Sequence, residues 1–557
     1  MARPLRSPGP RALLALASTA VALAGADTYV VVVALPDMMS GVGLGVDALQ
    51  QATPIVSGFL LGYIAVLPLI GRLADLLPRQ RILLACLAVF VVGSVVTATA
   101  VELPVLVGGR VLQGIGGGGL VPATLALVAD LWPPGRRGTP LGVVGAVQEL
   151  GSVLGPLLGA AVLALADWRA IFWLNVVAGL LLAAGLWRAG APGRPRVVPL
   201  VVAVLATALG LLTLTAPERL VTGVTTGIPF VPFTGTSRLA TPIGVATGVL
   251  LLVLAAVTVR SWSSVLRRAD VPGAVCLAVA LGSVVLAFAS ADPTREVVGP
   301  WGRVLLPLAL VAVAGHAWRH RTAAVPLIAR GVLRGRVPVA LLVSVLVGAA
   351  LVAVVVDVPV LARLGDRSQT GAALVLLRFL VAVPVGALVG GRALRHTGGA
   401  VVAAGGLALA AVALVLMSGW VPAALDGIGA TAVLVAAGLG LGLAIAPVNA
   451  AALADAPVGD AGVASALVVV ARMTGMVVGL AVLTAIGLHR FSAAVSALPD
   501  PTDTAALARA GVVQVQSVLL GGGIAAGAAA VAALWLGIRP ERVHDTPEPA
   551  AAARATS

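Results

Sequence analysis

Six ionisable side chains stand inside long apolar stretches of this chain: Asp27, Arg110, Glu149, Asp357, Arg378 and Arg472. A charge at the centre of a bilayer costs at least about 2.5 to 3.5 kcal/mol on insertion scales, so a membrane segment that keeps one keeps it for pairing or for function. Three acids and three arginines are able to balance. An acid beside an arginine does more than brace, because protonating the carboxylate cancels the attraction and frees the partner to move. That is a coupling switch suited to transport; the plainer reading of the same residues is a permanent ion pair holding helices together. Asp357 and Arg378 lie nearer the ends of their stretches, where snorkelling towards water is open to them.

Other chemistries lack their residues. All 36 basic side chains are arginine, so the chain has no phosphate-loop or Schiff-base lysine and cannot hydrolyse ATP through a Walker motif of its own. His316, His320, His396, His489 and His544 show no HExxH or paired-ligand spacing, and no GxSxG occurs. Cys86 and Cys276, both in apolar stretches, read as small hydrophobes and imply no disulfide. No catalytic residue, metal site or cofactor is expected, which leaves a gradient or a partner as the source of energy.

The elements that must position these charges are membrane helices. Of 557 residues, 60% are hydrophobic and 10% charged, with a mean hydropathy of +1.09, and a helix is the form in which an open chain satisfies its backbone in hydrocarbon. Apolar runs fall near 11–36, 51–71, 81–100, 104–130, 138–164 and 170–188; near 198–216, 242–260, 271–291 and 301–318; and near 337–362, 371–391, 400–420, 429–454, 462–489 and 513–538. By the roughly 20-residue criterion these make about sixteen spans, grouped six, four and six. Fourteen is the alternative, with two of the middle four half-buried or interfacial.

Arginines cluster in alternate connections: Arg72, Arg79 and Arg81; Arg136 and Arg137; Arg188, Arg194 and Arg196; Arg260, Arg267 and Arg268; Arg319 to Arg336; Arg392 and Arg395. The positive-inside rule places these connections, and both termini, in the cytoplasm. The opening run continues through Asp27 to Pro36, too long for a signal-peptide core. The net charge of +14 is scattered without an aromatic-interleaved basic stripe, so nucleic acid is not an expected partner. The connection from Pro217 to Pro242, with Ile228, Phe230, Val231 and Phe233, reads as an interfacial loop or as a contact for lipid or a partner. The tail 540–557 reads as disordered.

Short motifs sharpen this picture. Gly71-Arg72-Leu73-Ala74-Asp75-Leu76-Leu77-Pro78-Arg79 suits a tight connection that pairs with a neighbouring helix end, and Gly391 to Gly398 repeats its glycines and arginines without the acid. Gly151, Gly155 and Gly159 share one helix face beside Pro156, so another backbone can approach closely; the plain alternative is small-residue packing.

These residues resemble the major facilitator superfamily. The Gly71, Asp75, Arg79 loop is similar to its loop signature, with Leu76 in place of the basic residue and Pro78 in place of the second glycine. Arg110 to Gly114 resembles the superfamily's arginine-glutamine-glycine motif, implicated in proton transfer, and the Gly151, Gly155, Pro156, Gly159 segment resembles the antiporter motif. Asp27 to Pro36 and Asp167 to Asn175 are similar to drug:proton antiporters with extra central helices. Within that family, Ala26 to Met39, Gln148 to Gly159 and Val468 to Leu480 resemble lipid and multidrug exporters of mycobacteria that work with a lipid-carrying lipoprotein.

The resemblance implies an all-α polytopic membrane protein with two six-helix bundles, residues 1–190 and 336–539, and a central insert, 191–335, of about four helices. It implies proton coupling through Asp27, Glu149 and Arg472 and a cytoplasmic gating loop at Gly71, Asp75 and Arg79; Arg110 and Asp357, charges inside apolar runs, are further ion-pair candidates. It has no counterpart for the pair of runs near 198–216 and 242–260.

The expected function is a proton-driven exporter of hydrophobic compounds, triacylglycerol-like lipids or drugs, working by alternating access in the inner membrane. Aromatics are 3% of residues, which favours aliphatic cargo over stacked cationic drugs. Expected partners are membrane lipids, the cargo and an extracytoplasmic lipoprotein, the chain itself being a monomer. The alternatives are a membrane-embedded lipid-modifying enzyme, which lacks a polar catalytic cluster, and a non-transporting scaffold, for which the intramembrane charges serve no purpose.

Overall fold

A computed structural model describes residues 9–44, 49–189, 197–223, 225–233, 235, 237–289, 298–457, 459–498 and 503–537. Among them the regular structure is entirely helical. Six helices come first: α1 (Pro10–Gly41), α2 (Leu49–Leu76), α3 (Arg79–Thr99), α4 (Leu103–Leu131), α5 (Gly138–Leu163) and α6 (Arg169–Ala189). A middle group follows: α7 (Val197–Thr215), the one-turn α8 (Glu218–Val221), α9 (Pro242–Arg268), α10 (Val271–Ala289) and α11 (Gly302–Thr322). The last six are α12 (Val337–Leu364), α13 (Gln369–Ala393), α14 (Gly399–Met417), α15 (Ile428–Ala454), α16 (Ala461–Ser496) and α17 (Thr504–Ala533).

Local chemistry sets the ends. Pro78 breaks the chain between α2 and α3, and prolines occupy the first turns of α1, α4, α9 and α12, where a missing N–H costs nothing. Thr241, Ser368 and Asp503 cap α9, α13 and α17 by accepting from backbone N–H groups of the first turn.

Within the first half α1 packs on α5, α2 and α3 flank α4, and α3 meets α6; within the second, α12 packs on α16 and α17, α13 on α15, and α14 on α15 and α17. Each half has its own buried core, with Phe59, Ile64, Leu83 and Leu120 in the first and Val343, Phe379, Leu407 and Val515 in the second. The halves meet where α2 and α4 touch α16 and where α5 touches α13 and α15. Glycines permit these approaches: a Cβ on Gly155 would lie 2.3 Å from the Ala26 carbonyl oxygen of α1, and one on Gly151 2.3 Å from that of Ala22.

The span count is corrected towards the alternative. All sixteen runs contain helix, but among the described residues thirteen helices are long and apolar enough to cross a membrane, or fourteen with α1, whose pieces Pro10–Thr28 and Val33–Gly41 diverge by 68°. The apolar part of α7, Val201–Thr215, is short, and α11 carries Arg303, His316, Arg319, His320 and Arg321, which dilute its hydropathy. Several bounds also shift. α1 continues past Pro36 to Gly41, α9 reaches Arg268 so that Arg260 stands within a helix, and α17 begins at Thr504.

In the middle group α10 pairs with α11 and packs on α2 and α16, whereas α9 pairs chiefly with α7 and its apolar window is only 6% buried. The α7–α9 pair is thus peripheral. Its connecting loop is pinned at one point, where the Glu102 carboxylate accepts from Ser237 Oγ at 2.7 Å and from the Arg238 backbone N–H at 2.8 Å; Ile228, Val231 and Phe233 remain exposed. The tail at 540–557 and Arg194 and Arg196 lie outside the described residues.

Candidate functional site

Asp27 and Arg110 form a fully buried ion pair, Oδ2 to Nη1 at 2.5 Å, between α1 and α4. A desolvated pair of this kind persists only where its remaining donors and acceptors are also met. Here they are. Asn175 Nδ2 of α6 donates to Asp27 Oδ1 at 2.5 Å and Gln113 Nε2 at 3.3 Å, while Arg110 also reaches Gln113 Oε1 at 3.0 Å and the carbonyls of Asp27 and Ile55. Gln113 continues the network to Ser94 Oγ at 2.9 Å and accepts from Thr97 Oγ1 at 3.1 Å on α3. The guanidinium lies 4.5 Å from the Phe59 ring centroid, an aromatic face that favours a desolvated cation.

Glu149 and Arg472 form the second pair, Oε1 to Nη1 at 2.9 Å, and this one joins the two halves through α5 and α16. Arg472 lines two cavities. One, beside Glu149, is bounded by Gly25, Thr28, Phe59, Tyr63, Met473 and Met476; the other is bounded by Val144, Ser344, Ala444, Asn449 and Val468, and Gln148 and Arg472 belong to both walls. Each is narrow, about 30 Å³, so bulky cargo requires the halves to part.

They are sealed together at the arginine-rich end. The Asp75 carboxylate accepts from the Gly462 and Val463 backbone N–H groups at 2.7 and 3.0 Å, at the N-terminus of α16, where unpaired amides and the helix dipole favour an anion. Arg72 pairs with Asp460 at 2.6 Å, and Arg79 bridges Asp75 at 3.3 Å and Asp130 at 3.1 Å. A Cβ on Gly71 would come within 2.5 Å of the Gly462 carbonyl, and one on Gly138 within 2.6 Å of that of Gly391. Beyond Glu149 the close contacts of α5 turn from α13 to α1, and Leu154, Leu157 and Leu158 are exposed.

Behind the seal, the segment from α11 to α12 straps across the foot of α16: Leu327, Ile328 and Val332 pack on Val463, Ala464 and Leu467. Asp270 anchors one end, accepting from Leu327 N–H at 3.1 Å and Arg319 Nε at 2.8 Å. Arg336 and Asp455, 2.6 Å apart, anchor the other. Burial raises the Asp455 carboxyl, but the bonds from Arg336 outweigh it and hold the group below its usual value.

The balance of three acids with three arginines is not formed. Asp357 does not snorkel: it is 3% exposed, its Oδ2 has no hydrogen-bond partner, and it sits one helical turn from Ala353, which packs with Leu483 and Val518. Arg378 instead donates to Thr431 Oγ1 at 2.9 Å and the Leu425 carbonyl at 3.4 Å. α12 turns Asp357 into its seam with α16 and α17 while α13 turns Arg378 towards α15, so the two never face. Gly151, Gly155 and Gly159 all pack on α1, at Ala22, Ala26 and Val30; Pro156 lies beside them inside α5.

Sequence reasoning missed the polar supports of these pairs. Gln113 and Asn175 were visible only as motif members, and Ser94 and Thr97 as ordinary small residues. Arg72 stands in the sequence as one of the arginines of a tight connection, and its partner there is not readable: it is buried against Asp460, 388 positions away. A helical register placing Arg72 and Asp75 on one face was the available signal; their partners carried none.

A family model described as Major Facilitator Superfamily matches residues 17–480. The triacylglyceride transporter of Mycobacteroides abscessus is 36% identical over 501 residues, covering 87% of this chain and 84% of that protein. The triacylglyceride transporter of Mycolicibacterium smegmatis is 38% identical over 490 residues, covering 85% and 75% respectively. Among solved structures, the human organic anion transporter TETRAN superposes with a TM-score of 0.55 at 15% identity over 93% of this chain and 100% of its own. The proton:xylose symporter XylE gives 0.52 at 14% over 91% and 94%; at such identities the likeness is one of fold. With helices enough for fourteen crossings, two packed halves and matches along most of its length, this chain is a multi-pass membrane transporter that belongs to the major facilitator superfamily.

Proposed function

We propose that the protein is a proton-coupled exporter of hydrophobic molecules, with its arginine-rich end and both termini in the cytoplasm. The observation that carries this reading is the Glu149–Arg472 pair, a buried acid–arginine contact that joins the two halves at the cavities, Arg472 lining both of them and Glu149 one. Protonating Glu149 removes the charge that holds Arg472, so the tie between halves weakens and their rocking is biased. Asp27 and Arg110 act inside the first half: neutralising Asp27 leaves Arg110 to Gln113 and backbone carbonyls and loosens α1 from α4. The proton gradient supplies the energy, with no bound cofactor.

The substrate for which the relatives are named, the walls rich in aliphatic and methionine side chains, and the scarcity of aromatics favour triacylglycerol-like lipid, with drugs as secondary cargo. The protein works as a monomer and delivers to an extracytoplasmic lipoprotein. Proteoliposomes with an imposed pH gradient test this with a fluorescent triacylglycerol and a cationic dye side by side. Asp27→Asn and Glu149→Gln are each expected to reduce gradient-driven transport at least about tenfold while the protein stays folded. Normal export by either variant removes that carboxylate from the coupling mechanism.

A further inference from the structure

One carboxylate holds the central insert together where it meets the seal. α9 ends at Arg268, and the chain turns at once into α10 through Asp270, whose backbone takes φ 49°, a left-handed conformation that aspartate tolerates better than most residues. Its side chain is 1% exposed. There it accepts from the Gly273 N–H of α10 at 3.4 Å, from Arg319 Nε of α11 at 2.8 Å and from the Leu327 N–H of the strap at 3.1 Å. Three elements are thus tied to one buried charge, and a carboxylate that loses such donors incurs a desolvation cost that lipid cannot offset.

The strap itself belongs to the second half. It runs straight into α12, and Arg336 at its end pairs with Asp455, just past α15, and donates to the Leu536 carbonyl beyond α17. Its Leu327, Ile328 and Val332 are buried with Val463, Ala464 and Leu467 of α16, and Ala274 of α10 joins that cluster. Towards the first half α10 makes a different kind of contact. Leu69 of α2 packs on the edge of the same cluster, and a Cβ on Gly282 would lie 2.7 Å from Leu61 Cδ1 of α2. These surfaces are apolar, and within a bilayer lipid tails replace an apolar neighbour at little cost.

When the seal parts, α2 and α16 separate, and α10, which packs on both, has to leave one of them. We propose that Asp270 is a positioning residue of the transport cycle: by holding the strap it fixes the α10–α11 hairpin to the second half, so that α10 leaves α2 and travels with α16. The inference rests on the rocking of the halves in the reading above, and on neither the proton nor the cargo. The cleft that opens on this side therefore runs between α2 and α10.

Leu69 of α2, Ala274 of α10 and Ala464 of α16 meet at this one cluster, so three cysteine pairs test the assignment in a parent carrying Cys86→Ala and Cys276→Ala. Each pair is joined by a short, reducible bifunctional thiol reagent, with the joined fraction counted by mass. Exchange of labelled for unlabelled triacylglycerol at equal pH on both sides is measured before joining, after it and after reduction. The Leu69→Cys/Ala274→Cys link is expected to lower exchange at least about tenfold until it is reduced, and the Ala274→Cys/Ala464→Cys link to leave it within about twofold of the unjoined protein. Asp270→Asn is expected to weaken the first block at least about threefold, because a hairpin released from the strap can stay on α2; a merely structural role would leave the block as strong. Asp270→Gly, which keeps the left-handed backbone, carries the same expectation should the amide disturb folding, as read by thermal unfolding in detergent. A block from the α10–α16 link, or none from the α2–α10 link, overturns the proposal. So does a block that Asp270→Asn and Asp270→Gly leave undiminished. The Leu69→Cys/Ala464→Cys link joins the halves directly and is expected to stop exchange; if it does not, rocking at this seal is wrong and the role of Asp270 falls with it.

Discussion

At the residue scale, the three intramembrane acids stand in three kinds of environment. Asp27 is held by an arginine, an asparagine and a glutamine, Glu149 by an arginine from the opposite half, and Asp357 by no cation among the described residues. Removing charge should therefore have opposite effects at different sites. At Asp27 it strips Arg110 of its counter-ion and leaves the guanidinium to Gln113 and two backbone carbonyls, which lowers stability without unfolding the protein. At Asp357 it removes a desolvated group with no ion pair to lose. Asp357→Asn is expected to leave thermal unfolding in detergent unchanged or to raise it by a few degrees, whereas Asn175→Ala, which takes a donor from the Asp27 carboxylate, should lower it. A large drop for Asp357→Asn would reveal a partner gained in another conformation. All six charges were legible in the sequence because charge in hydrocarbon is rare; their pairing was not, since it depends on helix rotation.

At the element scale, the seal is a contact between the end of one helix and the start of another. Asp75 at the end of α2 accepts two backbone amides at the start of α16, and Arg72, one turn earlier, takes Asp460 just before that start. Asp75→Asn keeps the shape and removes the charge that the helix terminus attracts. It is expected to shift the protein towards opening at this end, read as a severalfold rise in thiol labelling of a cysteine introduced at Ser465, which is buried against Pro122 in the closed state. Unchanged labelling would mean that glycine packing alone keeps the end shut. The loop departs from the superfamily signature at Leu76 and Pro78, but neither position makes these contacts; Gly71, Asp75 and Arg79, which do, are present.

At the scale of the whole molecule, the four long middle helices are not equivalent. α10 packs on α2 and α16 and leads through α11, which packs on α10, into the strap beneath α16, while α7 and α9 stand apart and are tethered through Glu102. Glu102→Ala is expected to free the 217–242 loop, measured as faster limited proteolysis there, with lipid exchange within about twofold of the parent. A matching fall in exchange would tie the outlying pair to the transport cycle. Helix existence was readable along the entire chain from apolar runs alone. Span count was less so: α7 and α11 have helical length without enough continuous apolar surface, a distinction that a run of hydrophobic residues blurs.

By itself the sequence determined the solvent, the secondary structure and the list of residues with unusual chemistry, because each follows from local composition: hydrocarbon demands internally bonded backbone, and every charge kept there stands out. Tertiary structure alone decided that Asp27 faces Arg110, that Glu149 reaches Arg472 across the halves, that Asp357 and Arg378 point apart, and that Asp270 holds the strap. These are relations between positions up to several hundred residues apart. They are set by the rotation and close approach of whole helices, which glycine contacts spread over the chain fix together and no single stretch encodes.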